Sequence, residues 1–476
     1  MDSIDNENFY RYTSGRWLWA EETRLQERYK KFTVLGLKSL AAQACGAQSC
    51  VSMVKLAEGG FNKVFRLSMD NGAVVIARIP TPIVGPASRV LASEVATMDF
   101  VRNVLDIPVP KVIAWDGETA NAAGCEFILM EEAKGKPLGA IWPGMELDEK
   151  FKIVEEVVAV QKKLQSVTFS RYGSMYYKSH YKSDAAGFST SLDIHGNLPS
   201  SAKKYAEDRF IIGSLAERSF WEPKYADLAI DHGPLLKAIF VPYLNGNTLN
   251  RGTLFHWDLR APNFFVEDGQ ITSLIDWQDA WVAPLFMQER RPQLLEYNGE
   301  MMLRLPDYFE KMEDNGEKAK VQAQVEKSIL FWYYHRIVRE QFPALQELFD
   351  LPLARIQRET VLFASDIWEG ETVPLRECLY QLQKQWDKLN TGIACPIHFS
   401  SQEIEAHEQA SIDWNKKADF WASLSGFVSP DGYTSLEDYE DAHHFFKELR
   451  EEGLQLLSGK ELADFVDQSK WVERLG

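Results

Sequence analysis

His256-Trp257-Asp258-Leu259-Arg260-Ala261-Pro262-Asn263, followed by Ile275-Asp276-Trp277, sets two carboxylates and an amide where phosphoryl transfer from ATP needs them. Moving a γ-phosphoryl group requires an aligned attacking oxygen, divalent metal on the phosphates and neutralised charge on the transferring oxygens. Asp258 is the candidate base that accepts and orients the substrate hydroxyl proton. Asn263 offers a hard oxygen to a metal without adding charge, and Asp276 is the candidate main metal anchor. His256 stands at a catalytic position, although its chemistry reads better as a brace that holds the loop through hydrogen bonds.

The residues between these groups explain how they meet. Phe264, Phe265 and Val266 read as a short strand, Asp268-Gly269 as a tight hairpin turn, and Ile271 to Ile275 as the returning strand. Such a hairpin carries Asp276 back beside Asn263. A solvated surface hairpin is the ordinary reading for any lone Asp; the joint spacing of His, Asp, Asn and second Asp argues against it here.

A nucleotide-binding lobe is expected upstream. Two β-runs flank Glu58-Gly59-Gly60-Phe61-Asn62, where glycines without a Cβ leave backbone N–H groups room to approach phosphate oxygens. Val74 to Ile79 reads as the next strand and carries Arg78 in the slot where kinases keep a phosphate-binding Lys. A helix over Ser88 to Val104 places Glu94 in an apolar stripe with Val90, Leu91, Met98 and Val101. A carboxylate buried unpaired costs several kcal/mol, roughly, so Arg78 is the expected partner of Glu94. The apolar strand Glu126 to Glu131 leads into a hinge where Met130, Glu131 and Glu132 would offer backbone groups to adenine.

The pattern H-x-D-L-x-x-x-N with a later I-D-W resembles the aminoglycoside phosphotransferase and choline kinase-like branch of the protein-kinase-like superfamily. Protein kinases carry Arg between the His and the Asp and take their metal-binding Asp from D-F-G; Trp257 and Asp276-Trp277-Gln278 stand here instead. The resemblance therefore implies a small-molecule kinase that uses ATP and Mg and phosphorylates a hydroxyl. It implies an α+β bilobal fold with a five-stranded antiparallel N-lobe and a mainly helical C-lobe. Tyr12 to Leu18, Ala57 to Phe65, Ala77 to Pro80, Ser93 to Met98 and Ile275 to Gln278 are similar to the fungal phosphotransferase family of altered inheritance of mitochondria proteins. In that family Arg at the position of Arg78 looks usual, and the catalytic loop commonly reads H-T-D-L-H-x-x-N. Trp257, Arg260 and Pro262 make this loop bulkier.

A chain of 476 residues, 45% hydrophobic and 12% aromatic, supports a substantial core in more than one unit. The expected division is an N-terminal helical extension (1–50), an N-lobe (51–133), a C-lobe (134–400) with an irregular insertion at about 171–242, and a C-terminal helical extension (401–476). The insertion is expected to wall the acceptor site, with Tyr176, Tyr177 and Trp221 as possible lining and core packing as the ordinary role of each. Helices are expected over Leu147 to Leu164, Val321 to Gln341, Val361 to Trp368 and Asp438 to Leu456, with His335 a packed core residue. The net charge of −17 opposes nonspecific binding to nucleic acid or anionic membranes. Five cysteines without metal-ligand spacing read as reduced thiols, and no run is long enough for a membrane helix. The acidic start, Met1 to Glu7, lacks the Arg-rich amphipathic character of a mitochondrial presequence, so a cytoplasmic location is expected, with a mitochondrial one the alternative that the family resemblance implies. The alternative function is a catalytically weak or inactive kinase-like nucleotide sensor or interaction scaffold, argued by Arg78 and the loop around Trp257.

Overall fold

A computed structural model describes residues 6–181, 192–216, 248–288, 291–366, 372–389 and 392–475. Helices mix with antiparallel sheets, an α+β architecture. The chain divides into two compact units, one of residues 1–87, 118–127 and 399–476, the other of 88–117 and 128–398.

The first unit is built on an antiparallel meander of Cys50–Glu58, Asn62–Met69 and Val74–Pro80. Period-two alternation puts Lys63, Phe65, Leu67 and Met69 on its buried face. The second turn uses Gly72 at φ 83° and an Asn71 side chain that accepts from the Ala73 N–H at 3.0 Å. Both chain ends join this unit. Arg16–Trp17 pairs antiparallel with Tyr433–Thr434, and the helices Ser401–Ser423, Tyr439–Leu456 and Gly459–Gln468 follow in the C-terminal extension. Leu18, Leu424, Val428, Tyr439, Ala442, Phe446 and Val472 make the shared core. Each large side chain buried there contributes about 1.5–3 kcal/mol of transfer free energy.

In the second unit the helix Leu147–Leu164 has the span expected from its sequence, because Glu146 and Glu149 form a reciprocal capping box at its start. It buries Ile153, Val154, Val157, Val158 and Gln161. Its partner is Asn315–Gln341: Tyr334 donates to Gln161 Oε1 at 3.1 Å, Lys150 pairs with Glu326 at 2.6 Å, and the Phe151 and Tyr333 rings lie 4.3 Å apart. His335 on that helix accepts from Arg291 Nε at 2.8 Å, and burial together with Arg291 pushes its pKa down to about 4. It is a packed, neutral side chain.

A four-stranded antiparallel sheet in the order Ile194–Gly196, Val167–Phe169, Gly252–Phe255, Trp281–Pro284 lies in the same unit. Its strand Gly252–Phe255 delivers the chain to His256, and Trp281–Pro284 receives it after Asp276. The catalytic segment is therefore anchored by neighbouring strands at both ends.

The described part of 171–242 is more regular than its sequence suggests. Ser174–Tyr177 pairs with Phe210–Gly213, and Ser200–Arg209 is helical. Tyr176 is 3% exposed and donates to Ser214 O at 2.8 Å. Tyr177 stacks on Phe210 at 5.4 Å and donates to Asp99 Oδ2 at 2.7 Å. Both rings are packed within this strand pair, so the lining role falls away for them. Trp221 lies outside the described residues. All five cysteines are free thiols, and no helix among the described residues is long and apolar enough to cross a membrane.

Candidate functional site

The hairpin of Phe264–Glu267 and Gln270–Leu274 sets the site's geometry. Asp268 and Gly269 adopt φ 50° and 76°, the left-handed pair that a type I′ turn demands, and Phe264 faces Leu274 in register. The Ile275 N–H then donates to Asn263 O at 3.0 Å, which brings the residue before Asp276 against Asn263. Asp276 itself has φ 66°. A non-glycine residue in that region is uncommon, and Asp tolerates it better than most side chains.

Asn263 is 4% exposed, and its Nδ2 donates twice to Asp258, to the backbone O at 2.9 Å and to Oδ2 at 2.8 Å. Both amide hydrogens are thereby used, and Oδ1, the hard oxygen, has no partner among the described residues. The Asp258 carboxylate is divided in a similar way. Arg260 Nε approaches Oδ2 at 2.8 Å, alongside the Asn263 donor, while Oδ1 has no hydrogen-bond partner among the described residues. One oxygen is held in place; the other is unengaged among the described residues. From the sequence Arg260 stands out only as bulk in the loop; its pairing with Asp258 is not read there, although a cation two residues from an acid in a turn is a readable signal.

His256 is 1% exposed. Its Nδ1 accepts the Asp258 N–H at 3.2 Å, so Nε2 carries the proton and donates to Ile275 O at 3.0 Å. Both ring nitrogens are committed to tying the loop to the hairpin, which leaves no proton transfer for this side chain and corrects its placement among the catalytic groups. Trp277, fully buried, packs edge-on to the ring at 4.6 Å and donates to Leu274 O at 3.0 Å. Burial drives the His256 pKa below the ordinary imidazole range, opposed by Ile275 O and the two acids. The unfolded chain takes up a proton below about pH 6.5 that the folded chain refuses. This site's stabilisation is thus complete above that pH and is lost as the pH falls. The wild type should lose more urea resistance than His256→Asn between about pH 7.5 and pH 5; parallel curves would contradict the assignment.

Trp257, the bulky departure in the loop, stacks on Trp281 at 5.9 Å and meets Phe255 edge-on at 5.2 Å. It packs on the two flanking strands. Among the described residues no group of three or more His, Cys, Asp and Glu side chains is arranged to hold a metal ion. Asn263 and Asp276 still suit Mg²⁺, which commonly takes one or two protein oxygens and completes its shell with phosphate oxygens and water.

The remaining candidates fall in several places. In the first unit, Gly59 N–H donates to Asn62 O at 3.0 Å, Phe61 O accepts from Thr81 N–H at 2.8 Å, and nothing lies within 4 Å of where a Cβ on Gly59 or Gly60 would sit. That turn is ordered and open on its glycine side. Glu58 is not available to a nucleotide, since its carboxylate is fully buried against Lys63, with Lys55 and Thr13 also bound to it. Arg78 faces Val64 across the meander and is 8% exposed. In the second unit Glu94 is 1% exposed within the helix Ala87–Asn103. Met130 ends the strand Phe127–Met130, and Glu132 follows two residues later. Glu131 is engaged at both ends: its N–H donates to Lys111 O at 2.9 Å, and Oε2 accepts from Lys111 N–H at 3.1 Å with Arg102 at 3.5 Å.

Residues 53–287 match the model of the phosphotransferase enzyme family. A subtelomeric hrmA-associated cluster protein of Aspergillus fumigatus is 29% identical, over 84% of this chain and 92% of its own length. Altered inheritance of mitochondria protein 9, mitochondrial, of Yarrowia lipolytica is 23% identical over 87% of this chain and 84% of its own; its name stands against the cytoplasmic expectation. Among solved structures, aminoglycoside phosphotransferase APH(4)-Ia aligns over 76% of this chain and all of its own at 12% identity and TM-score 0.36. A putative fructosamine-3-kinase from Thermobifida fusca aligns over 73% of this chain and all of its own at 13% identity and TM-score 0.35. The family match and the sequence relatives, rather than these loose overlaps, carry the likeness.

Proposed function

Because residues 53–287 match the model of the phosphotransferase enzyme family, we propose that this chain transfers the γ-phosphoryl group of ATP to a hydroxyl of a small molecule in a magnesium-dependent reaction. The carrying observation is the divided pair: Asn263 gives both amide hydrogens to Asp258 and keeps Oδ1 for a cation, while Asp258 keeps Oδ1 for a hydroxyl. Asp258 accepts the proton as the acceptor oxygen attacks, and Arg260 and Asn263 hold the carboxylate in place. Asn263 and Asp276 would hold Mg²⁺; when bound, it neutralises charge on the phosphate oxygens. On this reading the Gly60 N–H of the open turn is offered to phosphate, Arg78 contacts phosphate, and backbone groups around Met130 and Glu132 receive adenine.

One observation favours the scaffold alternative: Arg260 already neutralises Asp258. Nucleotide response separates the readings. If the proposal holds, ATP with magnesium at about 100 times Kd stabilises the purified protein by about 2.7 kcal/mol, and ATP without magnesium does far less. No shift in melting temperature at saturating nucleotide would overturn it.

A further inference from the structure

Glu58 and Lys63 face each other across the turn Gly59-Gly60-Phe61-Asn62, in register at the end of the hairpin, with both side chains fully buried. Neither charge is tolerable in that interior alone. Their remaining bonds run to the N-terminal segment. Glu58 Oε2 accepts from the Thr13 N–H at 2.7 Å, from Thr13 Oγ1 at 3.2 Å and from Lys55 Nζ at 3.1 Å. Lys63 Nζ donates to Arg11 O at 3.1 Å and lies 5.9 Å from the Tyr12 ring centroid. Desolvation lowers the Lys63 pKa while the bond to Glu58 opposes it, so the ammonium depends on that partner.

The N-terminal segment is in turn latched to the C-terminal extension. Leu18 N–H donates to Gly432 O at 2.9 Å, the Trp17 indole to Asp431 Oδ2 at 3.1 Å, and the Tyr433 hydroxyl to Ser14 O at 3.1 Å. The latch closes tightly at Gly15, where a Cβ would sit 2.4 Å from the Tyr433 ring and 2.6 Å from Thr434 O. A continuous set of bonds therefore leads from residues 431–434, through Ser14 and Thr13, to the two residues that flank the glycine turn.

We propose that Glu58 and Lys63 are positioning residues for the phosphate-binding turn, and that the C-terminal extension sets the turn through them by way of the latched segment Arg11–Thr13. The proposal deepens the kinase reading and rests on it for the turn's contact with nucleotide. It gives the extension, and the burial of two opposite charges in place of an apolar pair, a task in catalysis: the glycine turn takes its position from a rigid joint behind it. It also gives the nucleotide affinity of one end of the chain a dependence on the other.

Three variants test this, with hydrogen exchange of the 58–62 amides and Mg·ATP affinity measured on the full chain. Gly15→Ala wedges the latch, Lys63→Met breaks the joint, and Lys63→Arg keeps its charge. The first two are expected to raise exchange at the turn about tenfold while exchange in 147–164 stays unchanged. A turn that is competent a tenth of the time weakens Mg·ATP about tenfold. Lys63→Arg, which keeps the charge although its planar fork fits a Lys site imperfectly, should lose severalfold less than Lys63→Met, a partial rescue that simple loss of packing would not give. Unchanged turn exchange in both Gly15→Ala and Lys63→Met, or equal losses in Lys63→Arg and Lys63→Met, would overturn the proposal. A wild-type chain that binds no nucleotide but shows the expected exchange pattern would strike the kinase reading and leave the mechanical joint supported.

Discussion

Asp258→Asn is expected to cut turnover by about 100- to 10,000-fold, the usual worth of a positioned general base, while the protein keeps its stabilisation by Mg·ATP. The geometry selects asparagine over alanine. Asn263 donates to Asp258 Oδ2 and depends on it for the orientation that leaves its own oxygen toward a cation. An amide at position 258 still presents an oxygen to that donor but has no basic carboxylate to receive a proton. Alanine would release both Asn263 and Arg260, mixing loss of the base with disturbance of the metal ligand. Steady-state rates with an accepted hydroxyl substrate, beside thermal shifts with ATP, measure both halves. Turnover within tenfold of wild type would remove Asp258 from its role as base.

Asp276→Asn is expected to remove the magnesium-dependent part of nucleotide binding. At an ATP concentration that stabilises the wild type by about 2.7 kcal/mol, the variant should gain little, and adding magnesium should change nothing. Asparagine is again the informative replacement, because the backbone at 276 has φ 66°, which Asn accepts and Ala resists. The comparison then isolates a charge rather than a strained turn. A thermal response to magnesium equal to the wild type's would show that the anchor lies elsewhere.

Much of the second unit was legible because its determinants are local. Asp268-Gly269 specifies its turn by requiring positive φ at two successive residues; the register shift between Phe265 and Val266, which carries no such local signal, then brings Ile275 beside Asn263. The helix Leu147–Leu164 carries its own start signal in Glu146 and Glu149. The role of His256 as a brace also follows from chemistry visible in sequence, since a His that follows a strand and precedes a catalytic-type Asp by two residues is readily consumed by backbone groups.

What stayed illegible depends on distant pairing. Nothing near Arg16 and Trp17 announces that they form a two-residue sheet with Thr434 and Tyr433, because so short a strand has no periodicity and its partner lies at the other end of the chain. Glu58 was nominated for nucleotide because it precedes two glycines. The structure gives it to Lys63, and the clue was available: two opposite charges flanking a tight hairpin turn stand directly across from each other. The segment after Arg171 read as irregular because the strand Ser174–Tyr177 is only four residues long and its partner, Phe210–Gly213, begins after a helix.

The central claim is that Asn263 and Asp276 serve one divalent ion on the nucleotide. Manganese titrations in the presence of ATP, read by electron paramagnetic resonance on the wild type, Asn263→Ala, Asp276→Asn and the double variant, test it most directly. Ligands of one ion should not act independently: each single change is expected to weaken Mn·ATP binding strongly, and the double variant to be little weaker than Asp276→Asn alone. Losses that simply add, or single variants that bind as the wild type does, would mean that the two side chains do not share a cation.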